Sequence, residues 1–193
     1  MSEPGDPEQV PLLKRIVSSR RGRVLAALGG VLFIGLCAQV EVPMVPVPMS
    51  LQTYAVLVIG AVAGPPLAGG ILLLYLLAGA LGLPVFAGGA SGFHHLAGNT
   101  AGYLVGFVLA AILVGFLAEC WARDSFFRLT VSLLLGHVVV LGLGATWLAT
   151  KIGATAAIEG GFVPFLVGGL AKSILGAATV VWLERLAKHS SKT

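Results

Sequence analysis

The sequence predicts an all-α, polytopic membrane protein of six transmembrane helices, and three observations carry that prediction. Of 193 residues, 57% are hydrophobic and only 10% charged, with a mean hydropathy of +0.97; soluble domains are about a quarter charged. The apolar residues gather into runs, several near the roughly 20 residues that a spanning helix needs at 1.5 Å rise each. Lysine and arginine fall almost entirely on alternate connections between those runs, the bias that orients membrane proteins. In water such a chain would expose a prohibitive apolar surface. The many glycines suit close helix packing in lipid.

The runs are Val24–Val42, Leu51–Ala63, Leu67–Leu83, Ala97–Cys120, Leu129–Thr150 and Phe162–Leu183. The second is short and is cut from the third by Gly64-Pro65-Pro66. Two helices joined by a tight turn is the simpler account; a single kinked helix, giving five spans, is the competitor, and two adjacent prolines count against it. With a cytoplasmic N-terminus, six spans put Lys14, Arg15, Arg20, Arg21, Arg23, Arg123, Arg128, Arg185, Lys188 and Lys192 inside and only Lys151 outside. Five spans would put the C-terminal cluster outside. The expected organisation is therefore a cytoplasmic tail over 1–23, a six-helix unit over 24–188, and a cytoplasmic tail over 189–193, in the cell membrane. Met1–Arg23 resembles the basic region of a signal peptide, but no small-residue cleavage site follows. Cys37 and Cys120 fall at opposite ends of their runs, so no disulfide is expected.

Two outward segments are apolar for loops. Glu41 to Gln52 carries Pro43, Pro46 and Pro48 and is expected to be extended. Gly82 to Gly102 is glycine-rich, as backbone that bends or closely approaches another group must be. Interrupted segments at membrane depth are tolerated where protein buries them or where they line a cavity, and they often mark transporter sites. Both are expected to pack into the outer mouth of the bundle.

Catalytic constellations are missing. No His-Glu-x-x-His, Cys-x-x-Cys, Gly-x-Ser-x-Gly or phosphate-binding Gly-Lys-Ser/Thr occurs, so neither an enzyme nor an ATPase is expected, and no cofactor or metal. The net charge of +4 belongs to loop residues that set orientation, and no nucleic-acid partner is expected. His94-His95 reads as a loop or interface pair, and His137 as a packing histidine.

Lys172 is the informative residue. It sits about ten residues into the last run, and a lysine near the bilayer centre costs roughly 2.5–3.5 kcal/mol. It either snorkels to the outer interface or faces a cavity and a partner. No intramembrane carboxylate offers itself, so an acidic ligand is the natural counter-ion. Asn99, Thr100, Tyr103 and Ser91 in the second segment, with Gln52 and Thr53 ending the first, are each ordinary capping or interface residues. Together with Lys172 they describe a pocket whose few polar groups orient a small, partly apolar anion.

Pro43-Met-Val-Pro-Val-Pro-Met-Ser-Leu-Gln-Thr53 resembles the P-x-P-V-P-x-T-L-Q-T stretch of the BioY family. Tyr75-Leu-Leu-Ala-Gly-Ala-Leu-Gly-Leu-Pro-Val-Phe-Ala-Gly-Gly89 resembles that family's Y-L-L-x-G-x-x-G-L-P-V-F-A-G-G, and the similarity continues through Gly98-Asn-Thr-Ala-Gly-Tyr103 to Gly106-Phe107. The resemblance implies the six-helix substrate-binding (S) component of an energy-coupling-factor (ECF) transporter. Such a subunit captures biotin from outside and is coupled to a transmembrane partner and a pair of ATPases, which some members do without. Lys172 matches the family's last-helix lysine, and Gln52, Phe86, Gly88, Gly92, Asn99, Thr100 and Tyr103 are expected beside it as ligand contacts. The resemblance also implies a small-residue face on the first helix for the coupling subunit, here Ala26 and Gly30. The chain departs from the pattern in three places: Asn99 replaces a proline, Gly169 replaces an aspartate expected at the ligand, and the first helix has glycine for alanine. Alternatives that the residues leave open are another small carboxylate vitamin, a biotin precursor, and a membrane scaffold that binds no solute.

Overall fold

The computed structural model describes residues 19–122 and 125–190. Six apolar helices form the body: α1 (Arg20–Ala38), α2 (Gln52–Ala63), α3 (Pro65–Ala80), α5 (Ala101–Leu117), α6 (Phe126–Ile152) and α8 (Phe165–Ser190). Between them lie two short helices, α4 (Phe93–Leu96) and α7 (Ala154–Gly161), and a two-residue-per-strand hairpin, β1 (Glu41–Val42) with β2 (Met49–Ser50). Four of the six are long and apolar enough to cross a membrane by length and composition, while α2 and α3 are shorter. At 1.5 Å per residue α2 reaches only about 18 Å.

The α2–α3 junction decides between six helices and five. Gly64 caps α2 with φ +76, a conformation closed to most residues, and the chain reverses there. Pro65 and Pro66 then open α3, where a missing N–H costs no helical hydrogen bond. The proof of reversal is the Gln52 Nε2 donating to the Tyr75 hydroxyl. In one continuous helix those residues would stand about 35 Å apart.

Helix boundaries differ from the apolar runs in ways that caps explain. The first helix starts at Arg20 rather than Val24, because Ser19 accepts a hydrogen bond from the Gly22 N–H. Ser125 does the same for Arg128 and starts α6 three residues before Leu129. The run expected over Ala97–Cys120 resolves into α5, entered only at Ala101, and a π-helical turn over Ala118–Ala122. Gly153, with φ +88, ends α6, and α7 follows where a plain loop is expected.

Helix α2 is buried nearly all round and forms the axis, with α5, α8 and α1 around it. Tyr54 of α2 hydrogen-bonds Thr179 of α8 at 2.9 Å and meets Phe33 of α1 edge-on. The outer faces of α1, α3 and α8 carry exposed leucines, isoleucines and valines, the surface that lipid covers. Because the helices alternate in direction, Arg20, Arg21, Arg23, Arg128 and Arg185 all fall at the end away from the hairpin, and Lys151 falls at the hairpin end. Lys14, Arg15, Arg123 and Lys192 lie outside the described residues. Cys37 is buried in α1 and Cys120 exposed in the π turn, both free.

Candidate functional site

The two interrupted segments, 41–52 and 82–102, close over one end of the bundle as a pair of lids. In the first, Glu41 pairs with Ser50 and Val42 with Met49, so the proline-bearing tip is held by an antiparallel ladder and is not merely extended. In the second, Phe86 turns inward and is fully buried. It rests on Gly79 of α3, where any β-carbon would occupy the space of its ring. Gly88 takes φ +65 beside the Glu41 side chain, and the Gly92 N–H donates to Gly79 O at 2.7 Å.

Hydrogen bonds tie the lids to each other. Gln39 Nε2, at the root of the first lid, donates to Phe86 O at 3.2 Å. Gln52 Nε2 donates to the Tyr75 hydroxyl, which donates to Val85 O at 2.9 Å. Ser50 Oγ completes the chain by donating to Gln52 Oε1 at 2.7 Å. Gln52 and Tyr75 are both buried, so every link replaces water that neither group can reach.

Beneath the lids lies a small cavity of about 50 Å³, well under the roughly 300–1,000 Å³ usual for small-molecule sites. Phe86, Tyr103, Leu104, Phe107 and Phe165 supply apolar wall, and Ser50, Gln52, Thr53, His95, Thr100 and Lys172 supply polar groups. Lys172 reaches it from α8: its Nζ donates to Ser50 O at 2.7 Å and to Thr53 Oγ1 at 3.4 Å. The ammonium is therefore turned inward beneath the first lid, not out to lipid. Tyr103 is set by a glycine on the neighbouring helix, since its ring fills the place of a side chain at Gly144. Its hydroxyl donates to Gly161 O at 2.6 Å, tying α5 to α7.

His95 enlarges the expected set. Its ring stacks on Phe86 at 5.0 Å between centroids, and its Nε2 lies 3.2 Å from Thr100 Oγ1. Burial, and then the neighbouring His94, hold its pKa below the ordinary histidine value, so the ring is neutral at pH 7. The loop-or-interface reading fits both: His94 is exposed, and His95 is half-buried at the interface with Phe86. Its signal was proximity to the Pro-Val-Phe turn, which only folding converts into a stack.

Of the expected contacts, Lys172, Gln52, Phe86, Thr100 and Tyr103 meet around one cavity. Gly88 and Gly92 shape the second lid and do not line it, and Asn99 is exposed on the approach to α5. Ser91 is half-buried in the lid. On α1, Ala26 and Gly30 are half-buried, and Gly30 packs against Ile71 of α3, where a β-carbon would lie 2.8 Å from Cγ2. Its smallness is thus used at least partly inside the molecule.

The model of the BioY family matches residues 13–189. The chain belongs to the BioY family. Among BioY relatives, it is 37% identical over 158 residues to the probable biotin transporter BioY of Pyrococcus horikoshii, covering 80% of this chain and 91% of that protein. To the biotin transporter BioY of Thermotoga maritima it is 36% identical over 150 residues, 77% of this chain and 88% of the other. The fold is similar to the crystal structure of the S-component for biotin from an ECF-type ABC transporter, with a TM-score of 0.76 and 26% identity, covering 89% of this chain and 94% of that one. The S-component fold expected from the BioY motifs is thus the one observed, built on helices apolar enough for a membrane protein.

Proposed function

We propose that this protein binds biotin beneath the two lids and serves in its uptake as the substrate-capture subunit of an ECF transporter, not as an enzyme. The observation that carries this reading is Lys172. Its ammonium sits at an otherwise largely apolar cavity and is held by two neutral oxygens. A cation so placed is best satisfied by an anionic or strongly accepting oxygen of a ligand. Biotin offers a carboxylate, a ureido oxygen and a fused apolar ring for the aromatic wall, and relatives named biotin transporters support the choice.

In this reading both termini are cytoplasmic and the lids face outward. The arginines at the far end and the exposed Lys151 at the lid end favour that orientation in the cell membrane. Coupling to a transmembrane partner and an ATPase pair is assigned to α1, where the strip at Ala26 and Gly30 is still half open.

The test is equilibrium binding of labelled biotin to the purified protein in nanodiscs. Saturable binding is expected, with affinity lowered about 100-fold by Lys172→Ala, the scale of a lost charge-assisted hydrogen bond. Unchanged affinity in that variant would reject the role of the lysine, and absence of saturable binding would reject biotin. Competition by dethiobiotin and lipoate separates biotin from a precursor or another carboxylate vitamin.

A further inference from the structure

We infer that His137 is a ligand-contacting residue of this site, its Nε2 accepting a hydrogen bond from a ureido N–H of biotin; this rests on the biotin reading above. His137 stands on α6, 5% exposed, against α8. Its Nδ1 lies 3.2 Å from Leu133 O and 3.0 Å from Ser173 Oγ. In the tautomer whose Nδ1–H donates to the Leu133 carbonyl, the neutral ring presents a lone pair at Nε2. That nitrogen is buried and has no hydrogen-bond partner among the described residues. Buried acceptors are seldom left so, and each one calls for an explanation.

The position of the ring supplies one. Phe165, Gly169 and Lys172 fall on one stripe of α8, at spacings of four and three residues. The first and last line the cavity. Between them Gly169 has no side chain, and a β-carbon there would lie 3.2 Å from His137 Cδ2 and 3.5 Å from Cγ. The imidazole thus occupies the place that position 169 leaves open, with Nε2 the next ring atom beyond Cδ2. An acceptor from α6 thus packs against the stripe of α8 that carries two cavity-lining residues, Phe165 and Lys172. Carboxylate and carbonyl oxygens cannot satisfy it, because they carry no hydrogen. A ureido N–H can, and it lies on the same small ring whose oxygen needs a donor such as Lys172.

The experiment follows the histidine directly, by nitrogen NMR of protein labelled with ¹⁵N at histidine, in nanodiscs, with and without saturating biotin. The Nε2 resonance of His137, assigned by its loss in His137→Gln, is expected to move when biotin binds. Labelled-biotin titrations are expected to show affinity about tenfold weaker for His137→Leu. His137→Gln, whose side-chain oxygen also accepts, is expected to stay within threefold of the parent. A resonance that does not move at saturation overturns the inference while leaving biotin binding intact, and it does so in the unsubstituted protein, whether or not the leucine variant folds. Equal affinity of parent and a folded His137→Leu overturns it as well. Parent protein that binds no biotin removes the functional reading itself, and this contact with it.

Discussion

The two ends of this helical bundle treat empty space in opposite ways. At the end where α2 turns into α3, backbone packs on backbone. A β-carbon at Gly115 would lie 2.8 Å from Pro65 N and 2.9 Å from Gly60 O, and one at Gly60 would lie 2.7 Å from Ala111 O. At the lid end Gly102 likewise meets the Leu143 backbone, but other glycines there admit whole rings. Phe86 sits on Gly79 and Tyr103 on Gly144, and the walls so made enclose a cavity. The same residue type therefore removes space at one end and preserves it at the other. What differs is whether the group admitted is a backbone or a side chain that props two elements apart. In lipid, where no water-driven force separates buried helix faces from exposed ones, van der Waals contact of the first kind supplies much of the cohesion.

Substitutions that touch one end and spare the other test this division. Gly115→Leu is expected to have the largest effect, a loss of about 3 kcal/mol in stability, because backbone cannot yield to the new side chain. A thermal midpoint in detergent equal to the parent's would show that the packed end tolerates volume. Tyr75→Phe comes next. It removes the hydroxyl that joins Gln52 to Val85, and a biotin affinity about fivefold to tenfold weaker is expected, with little change in midpoint. If the midpoint falls and affinity does not, the lids are held by the fold and not by that hydrogen-bond chain. Asn99→Ala is expected to do least, leaving affinity within about twofold, since the residue is exposed and outside the cavity. A tenfold loss would mean that Asn99 swings in when ligand binds.

Much of the site was legible before folding, for chemical reasons. Lys172 announces itself by its cost in an apolar run. The prolines of the first lid and the glycines of the second announce irregular backbone at membrane depth. The residues that were harder to read are those whose role depends on a neighbour distant in sequence. His95 gains meaning only when stacked on Phe86, and His137 only when Gly169 turns toward it. The helices Ala154–Gly161 and Phe93–Leu96 were also hidden, being too short for their periodicity to rise above that of a loop.

By itself the sequence determined the apolar surroundings, the existence of the long apolar runs, and the one cation within them that has to find a partner. These follow from composition, length and spacing, which are properties of the chain alone. Only the tertiary structure decided that α2 and α3 fold back on one another, that the two lids share one hydrogen-bonded chain, and which polar groups meet Lys172. Those outcomes depend on contacts across 23 to 122 residues of separation, where shape and unsatisfied hydrogen bonds choose between arrangements that local preference leaves equal.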